Sequence, residues 1–147
     1  MLDDLNQYRH NRIMVVDDEE FCHASMRAIL TKAGIECDKQ VDFCISGREA
    51  ISQLKKATRV GLKYRLVLTD FNMPELDGIQ ATKQMRDYLE NHMVPKKDQP
   101  SIIGATGHIE DKFIELGINA GMNEVISKPI YYAQMLSILQ KNDLDVS

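Results

Sequence analysis

The sequence alternates short apolar runs with amphipathic helical patterns from one end to the other. The apolar runs are "IMVV" at 13–16, "VDFCI" at 41–45, "LVL" at 66–68, "SIIGA" at 101–105 and "EVIS" at 124–127. Between them, apolar residues recur at the three- and four-residue spacing of a helical face. Because two parallel strands need a crossover between them, usually a helix, this alternation predicts a (βα)₅ chain whose parallel sheet is covered on both faces.

Each helical pattern predicts a buried stripe. The first pattern ends at Gly34, and Ser46 followed by Glu49 predicts a capping box at the start of the second. The predicted stripes are, in chain order, Cys22, Met26, Ile29, Leu30 and Ala33; Ala50, Ile51 and Leu54; Ile79, Thr82, Met85 and Leu89; Phe113 and Leu116; and Met135, Ile138 and Leu139. The second strand alternates Val41, Phe43 and Ile45 with more polar positions, which places it at an edge of the sheet.

Polar side chains follow four of the five predicted strands. Asp17 and Asp18 follow the first strand, Asp70 the third, Thr106 the fourth and Lys128 the fifth. The carboxyl ends of parallel strands share one edge, and ligands bind there at the point where strand order reverses. For a flavodoxin-like, three-layer α/β sandwich of order 2-1-3-4-5, that point lies between strands one and three, so the aspartates flank it.

Three neighbouring carboxylates raise one another's pKa unless a cation lies between them. Mg²⁺ fits best, because it accepts a few carboxylates and keeps its other positions for water and phosphoryl oxygens, and Mn²⁺ is the alternative. Lys128 and Thr106 supply a positive charge and a hydroxyl donor for a phosphoryl group. Asp70 is the predicted nucleophile, because the turn at Pro74 and Gly78 leaves its carboxylate at the mouth of the crevice.

Composition restricts the function classes. A chain of 147 residues with 44% hydrophobic residues predicts one domain, which we place at residues 12–142 between tails at 1–11 and 143–147. Without a long apolar run or a signal peptide, we expect a cytoplasmic protein with no membrane insertion. The net charge of −4 disfavours direct nucleic-acid binding, and three cysteines without ligand spacing disfavour a zinc site.

Four segments in order resemble the receiver domain of two-component response regulators, and the wording of the last resembles receivers of hybrid histidine kinases. They are "VVDDEE", "LTDFNMPELDG", "GATGH" and "AGMNEVISKPI", within a resemblance that covers residues 11–142. The resemblance implies a flavodoxin-like phosphoacceptor of a phosphorelay, which catalyses its own phosphorylation and dephosphorylation and is not otherwise an enzyme. It also implies a phosphohistidine donor, on a sensor histidine kinase or a histidine phosphotransfer protein, and a monomer or weak dimer.

The resemblance assigns a role to each polar strand end. It implies that Asp70 is phosphorylated and that Asp18, Asp70 and the backbone carbonyl of Asn72 bind Mg²⁺, with Asp17 acting through water. Thr106 and Lys128 then contact the phosphoryl group. The position three before the lysine, commonly Tyr or Phe in the family, is Val125 here.

Three other functions are open to such a chain. An unphosphorylated receiver-like scaffold would keep the fold without the chemistry. A haloacid-dehalogenase-like phosphohydrolase with Asp70 as nucleophile would carry an acid where Asn72 stands. A flavodoxin-like cofactor binder would need a Ser/Thr/Gly-rich loop after strand one, where "DDEEF" would repel a phosphate. The chain could act alone or as a piece of a hybrid kinase.

Overall fold

A computed structural model describes residues 7–144, and within them the chain forms a parallel sheet of five strands. The strands are β1 (Arg12–Val16), β2 (Val41–Cys44), β3 (Tyr64–Asp70), β4 (Ser101–Thr106) and β5 (Glu124–Ser127). Their order is β2-β1-β3-β4-β5. The structure therefore confirms the predicted order and the edge position of β2.

A helix follows each strand. These helices are α1 (Glu20–Lys32), α2 (Gly47–Arg59), α3 (Gly78–Asn91), α4 (Asp111–Ala120) and α5 (Tyr132–Lys141). Two short turns were not predicted: one α-helical turn at Cys37–Gln40 and one 3₁₀ turn at Lys96–Asp98. Segments of this length are too short to show a periodic apolar pattern, so the sequence gives no signal for them.

Two apolar cores lie on opposite faces of the sheet. Ile13 and Leu66 belong to the core that includes the buried sides of α1 and α5. Met14 and Val67, the next residue along each strand, belong to the core that includes α2 and α3. Since successive strand side chains point to opposite faces, covering both faces explains why these strands are continuously apolar. The result is the predicted three-layer sandwich.

Two details of the predicted apolar pattern are wrong. Leu116 of α4 is 52% exposed, and the helix instead buries Gly117 and Ala120, with Phe113 partly buried. Ile45 lies beyond β2 and is 58% exposed, whereas Cys44 is buried. Helix α4 thus packs through a glycine, because a Cβ atom at Gly117 would lie 2.6 Å from Cγ2 of Val125.

The helix starts differ in part from the expected capping. The Ser46 hydroxyl accepts from the Glu49 amide at 3.1 Å as predicted, but the Glu49 carboxylate accepts from Ile45, outside the cap residue. A complete capping box begins α3 instead, where Asp77 accepts from the Gln80 amide and the Gln80 side chain accepts from the Asp77 amide. This box fixes the start of α3, the helix that follows Asp70 and its loop.

The segments on either side of the predicted domain also make contacts. Tyr8 and Leu144 are buried, and the Lys63 amide donates to the carbonyl of Arg9 at 2.8 Å. The boundaries at residues 12 and 142 stay predictions. Within the described part of the chain, no helix has both the length and the apolar character needed to cross a membrane.

We expect Gly104→Ala to destabilise the domain by about 1–3 kcal/mol, the usual cost of overpacking a filled core. A Cβ atom there would lie 2.4 Å from both Sδ of Met122 and Cε1 of Phe71. Urea unfolding measures the change. The matched control is Gly107→Ala, because nothing lies within 4 Å of a Cβ at Gly107. Equal unfolding free energies for the two variants would contradict the conclusion that the packing at Gly104 leaves no room for a side chain.

Candidate functional site

Asp17 and Asp18 follow directly after β1, in the loop that leads into α1. The Asp17 amide donates to the carbonyl of Cys44 at 3.0 Å, which aligns the end of β1 with the end of β2. Asp17 is 6% exposed, and its Oδ1 accepts from the Glu19 amide at 3.0 Å. Asp18 is exposed beside it. The strand end therefore presents one fixed carboxylate and one that faces solvent.

Asp70 is the last residue of β3 and is 9% exposed. The loop after it folds back, so that the Gly78 amide donates to the carbonyl of Phe71 at 3.0 Å. A Cβ atom at Gly78 would lie 2.2 Å from the carbonyl oxygen of Asp70, which no side chain tolerates. A glycine is thus required where α3 begins, and its close approach fixes the backbone of Asp70.

The three aspartates converge as predicted. One carboxylate oxygen from each of Asp17, Asp18 and Asp70 lies within 4.8 Å of the other two. Lys128, one residue beyond β5, places its Nζ 3.1 Å from Oδ2 of Asp17 and 3.3 Å from Oδ1 of Asp70. The structure thus joins residues separated by more than a hundred positions into one cluster of hard oxygen donors and a single ammonium group.

Burial and charge shift the ionisation of this cluster. Burial raises the pKa of Asp70 and the charge of Asp17 adds to the rise, while the charge of Lys128 opposes it. Burial alone would lower the pKa of Lys128, but the hydrogen bond to Asp17 and the charges of Asp70 and Asp17 outweigh it, so the pKa of Lys128 is raised. The lysine therefore stays protonated, and Asp70 carries a charge that its surroundings only partly stabilise.

The other two predicted residues lie next to this cluster. Thr106 ends β4 and is 1% exposed; its Oγ1 accepts from the His108 amide at 3.1 Å, and its carbonyl accepts from the Lys128 amide at 2.9 Å. Asn72 is exposed, and its amide donates to Oδ1 of Asp70 at 3.4 Å. Thr106 is one residue beyond Ala105, the β4 partner of Asp70, so its hydroxyl lies at the same sheet edge.

An apolar cleft of about 330 Å³ opens beside the carboxylates, and sequence reasoning missed it. Phe21 and Met26 of α1 line one side, and Pro129 and Ile130 line the other. Phe21 is 81% exposed. The sequence held one signal for this surface: Phe21 is an aromatic residue that lies off the apolar stripe of its helix. Cys22 also lines the cleft, and burial raises the pKa of its thiol to about 11.

A parallel sheet of this order with an acidic cluster and a lysine at its carboxyl edge is characteristic of phosphoacceptor signalling domains. The family model described as "Response regulator receiver domain" matches residues 13–140. The chain therefore belongs to the response regulator receiver family, whose members act in two-component phosphorelays.

Curated relatives and solved structures agree with this assignment. The chain is 30% identical over 128 residues to the osmosensing histidine protein kinase SLN1 of Saccharomyces cerevisiae and 32% identical over 133 residues to the transcription factor SKN7 of Candida albicans. These alignments cover 87% and 90% of this chain but only 10% and 21% of the relatives, so the chain spans a small part of their length.

Among solved structures, the chain is similar to the receiver domain of the histidine kinase CKI1 from Arabidopsis thaliana complexed with Mg²⁺ and BeF₃⁻. The TM-score is 0.74 at 26% identity, over 97% of this chain and 95% of that one. It also shares its fold with the receiver domain of Ssk1, solved with the histidine phosphotransfer protein Ypd1 of Saccharomyces cerevisiae. There the TM-score is 0.75 at 22% identity, over 91% and 89% of the two chains.

We expect Asp70→Asn to raise the melting temperature of the metal-free protein. Because the folded-state pKa of Asp70 is raised, its charge costs stability above that pKa, and the cost is relieved as pH falls through it. The gain should therefore be largest near neutral pH and shrink in acid. Thermal unfolding in EDTA across pH measures it, with Asp87→Asn on the exposed side of α3 as control. A lower melting temperature at neutral pH would contradict the expectation.

Proposed function

We propose that Asp70 accepts a phosphoryl group from a phosphohistidine, in a reaction that depends on Mg²⁺. The observation that carries this proposal is the convergence of Asp17, Asp18 and Asp70 around the ammonium group of Lys128. Three carboxylates and one lysine leave the cluster with excess negative charge. An oxygen-binding divalent cation balances that charge, and the donor set is the one that Mg²⁺ prefers.

In this proposal Mg²⁺ is bound by Asp18, Asp70 and the backbone carbonyl of Asn72, with Asp17 acting through water, and Mn²⁺ can occupy the same set. When bound, the ion neutralises charge on the phosphoryl oxygens. Asp17 is fixed by the Glu19 amide and by Lys128, so its carboxylate keeps a defined orientation toward that ion. The exposed Asp18 leaves the ion accessible from solvent.

The contacts of Asp70 distinguish its two oxygens. Lys128 and the Asn72 amide both contact Oδ1, so Oδ2 is the oxygen left for attack. Oδ2 forms a bond to phosphorus as the phosphorus–nitrogen bond of the phosphohistidine breaks, and the imidazole keeps the electron pair and takes up a proton. The product is an acyl phosphate on Asp70 and a neutral histidine.

Lys128 and Thr106 then act on the transferred group. The ammonium of Lys128 is held between Asp17 and Asp70, where it can stabilise the negative charge on a phosphoryl oxygen. The Thr106 hydroxyl has its oxygen engaged as an acceptor of the His108 amide, so its hydrogen is free to donate to a phosphoryl oxygen. Neither residue has to leave its strand end.

The apolar cleft supports a protein, not a small molecule, as the carrier of the phosphohistidine. Phe21 extends from α1 next to the acidic cluster, and burying such a ring stabilises a complex by about 1.5–3 kcal/mol. We therefore assign the cleft as a docking surface for a histidine phosphotransfer protein or a kinase domain. The phosphohydrolase alternative is not favoured, because the exposed carboxamide side chain of Asn72 cannot act as a general acid.

Mass spectrometry after incubation with acetyl phosphate or phosphoramidate tests the assignment of the nucleophile. We expect one labile phosphoryl group in the presence of Mg²⁺, and none for Asp70→Asn or in EDTA. Asp87→Asn is the matched control and should be modified normally. A phosphoryl adduct that persists in Asp70→Asn would contradict the assignment. If the native chain forms no adduct and calorimetry detects no Mg²⁺ binding, the unphosphorylated scaffold becomes the favoured function.

Phe21→Ala should slow phosphotransfer from a phosphorylated histidine phosphotransfer protein by about tenfold in kcat/KM, since removing an interface aromatic commonly costs over 1 kcal/mol. Phosphorylation by acetyl phosphate should not change, because the small donor needs no docking surface. Met93→Ala is the control, an apolar residue that is 89% exposed beyond the end of α3. If both variants transfer at the native rate, the partner does not use this cleft.

A further inference from the structure

A second and larger cleft, of about 1010 Å³, lies where the strands begin, at the opposite end of the strands from Asp70. It surrounds the first residues of β3 and β4, whereas the phosphoacceptor is the last residue of β3. Tyr64 and Asp70 are the two ends of that strand, which puts them about 20 Å apart at the usual rise per residue. The cleft is therefore separate from the phosphoacceptor site.

Positive charge predominates in this cleft although the chain as a whole carries −4. Seven lysine and arginine side chains line it against four carboxylates, an excess of three positive charges. Asp98 is already paired with Lys63 at 3.5 Å, and the other carboxylates are Asp87, Glu90 and Asp143. Low-dielectric walls around such a charge excess concentrate its field within the cleft.

Arg86 forms a fixed part of the wall. Its guanidinium donates to the carbonyls of Gly121 and Pro100 and to the side chains of Gln99 and Asn123, at 2.8–3.0 Å. All four acceptors are neutral. Within residues 7–144 no carboxylate forms an ion pair with Arg86, although the charge of Glu90 acts on it, and the four hydrogen bonds tie the chain segments that form the cleft to α3.

Five further cations of the cleft make no ion pair within residues 7–144, namely Arg65, Lys83, Lys96, Lys97 and Lys141. They come from β3, α3, the loop before β4 and α5, so the fold gathers them from distant parts of the sequence. The Nε atom of Arg65 is buried and has no hydrogen-bond partner among the described residues. Among the described residues, the charge of Arg65 is therefore unpaired and one of its donors is unused, which costs free energy.

The lining also indicates which anion fits. Cations distributed around a concave volume suit a compact ligand with several negative charges, because a single phosphate reaches only part of the lining. The aromatic lining residues are Tyr64, which is buried, and His10, which is exposed, so among the described residues the cleft offers a single imidazole ring and no row of stacking platforms for nucleic-acid bases. The net charge of the chain also disfavours a long polyanion that would cross its acidic surfaces.

We propose that this cleft binds a polyphosphate group, held by Lys83, Lys96, Lys97 and Lys141 above the fixed guanidinium of Arg86. The ligand class is a chain of two or more phosphoryl units, either free or as part of a nucleotide. Binding there is independent of Mg²⁺ and of the chemistry at Asp70.

Calorimetric titration with sodium tripolyphosphate tests this proposal, in EDTA and at physiological ionic strength, so that no metal can recruit the anion to the acidic cluster. The native chain should bind one equivalent saturably. Reversing two charges in Lys96→Glu/Lys97→Glu should weaken binding by about tenfold or more. The matched control is Lys56→Glu/Arg59→Glu, which reverses two exposed charges on α2 outside the cleft and should bind as the native chain does.

Titration with ATP distinguishes the two sources of the ligand. Affinity equal to that of tripolyphosphate supports recognition of the phosphoryl chain alone, and tighter binding supports a nucleotide. Non-saturable binding, equal weakening in both double variants, or equally tight binding of inorganic phosphate would overturn the proposal. So would a single-stranded oligonucleotide that binds more tightly than tripolyphosphate and loses affinity in Lys96→Glu/Lys97→Glu.

Discussion

The ammonium group of Lys128 between two buried carboxylates is the interaction on which the site depends. Asp17 and Asp70 end neighbouring strands, and each would be costly to bury as an unpaired charge. β4 lies between β3 and β5, so the lysine side chain has to reach across the end of β4. The hydrogen bond from the Lys128 amide to the carbonyl of Thr106 fixes the starting point of that reach. The strand order therefore determines which charged groups meet at the site.

Packing behind Asp70, the proposed phosphoacceptor, is as closely determined as the charges in front of it. Phe71 follows Asp70 directly, and its ring fills a layer in which glycine is required at Gly104 and Gly117. Met122 and Val125 belong to the same layer. The family commonly has an aromatic residue at the position of Val125, but here the aromatic ring of this layer is Phe71. Phe71 therefore connects the backbone at Asp70 to α4 through close packing contacts.

The sequence predicted those features that depend on local pattern or on strand ends. Alternating apolar runs were enough for the (βα)₅ sandwich, and the polar strand ends predicted that Asp17, Asp18, Asp70 and Lys128 would converge. The sequence did not correctly predict features that depend on a choice between two equally compatible patterns. Phe113 is compatible with a stripe through Leu116 or through Gly117, and only close packing against Val125 selects the glycine. The basic cleft could not be predicted at all, because its cations come from segments that no periodicity connects.

The chain thus has two poles of opposite charge, with the carboxylates at one edge of the sheet and the excess of cations at the other. The net charge of −4 hides this separation, because it is a sum over both poles. The poles are about 20 Å apart along β3, and physiological salt screens charges in solvent over about 8 Å. Charges exposed to solvent at the two edges are therefore largely screened from each other. The two edges are joined by packed structure: α3 begins against the carbonyl of Asp70 and carries Arg86, and Phe71 packs against Gly104 and α4.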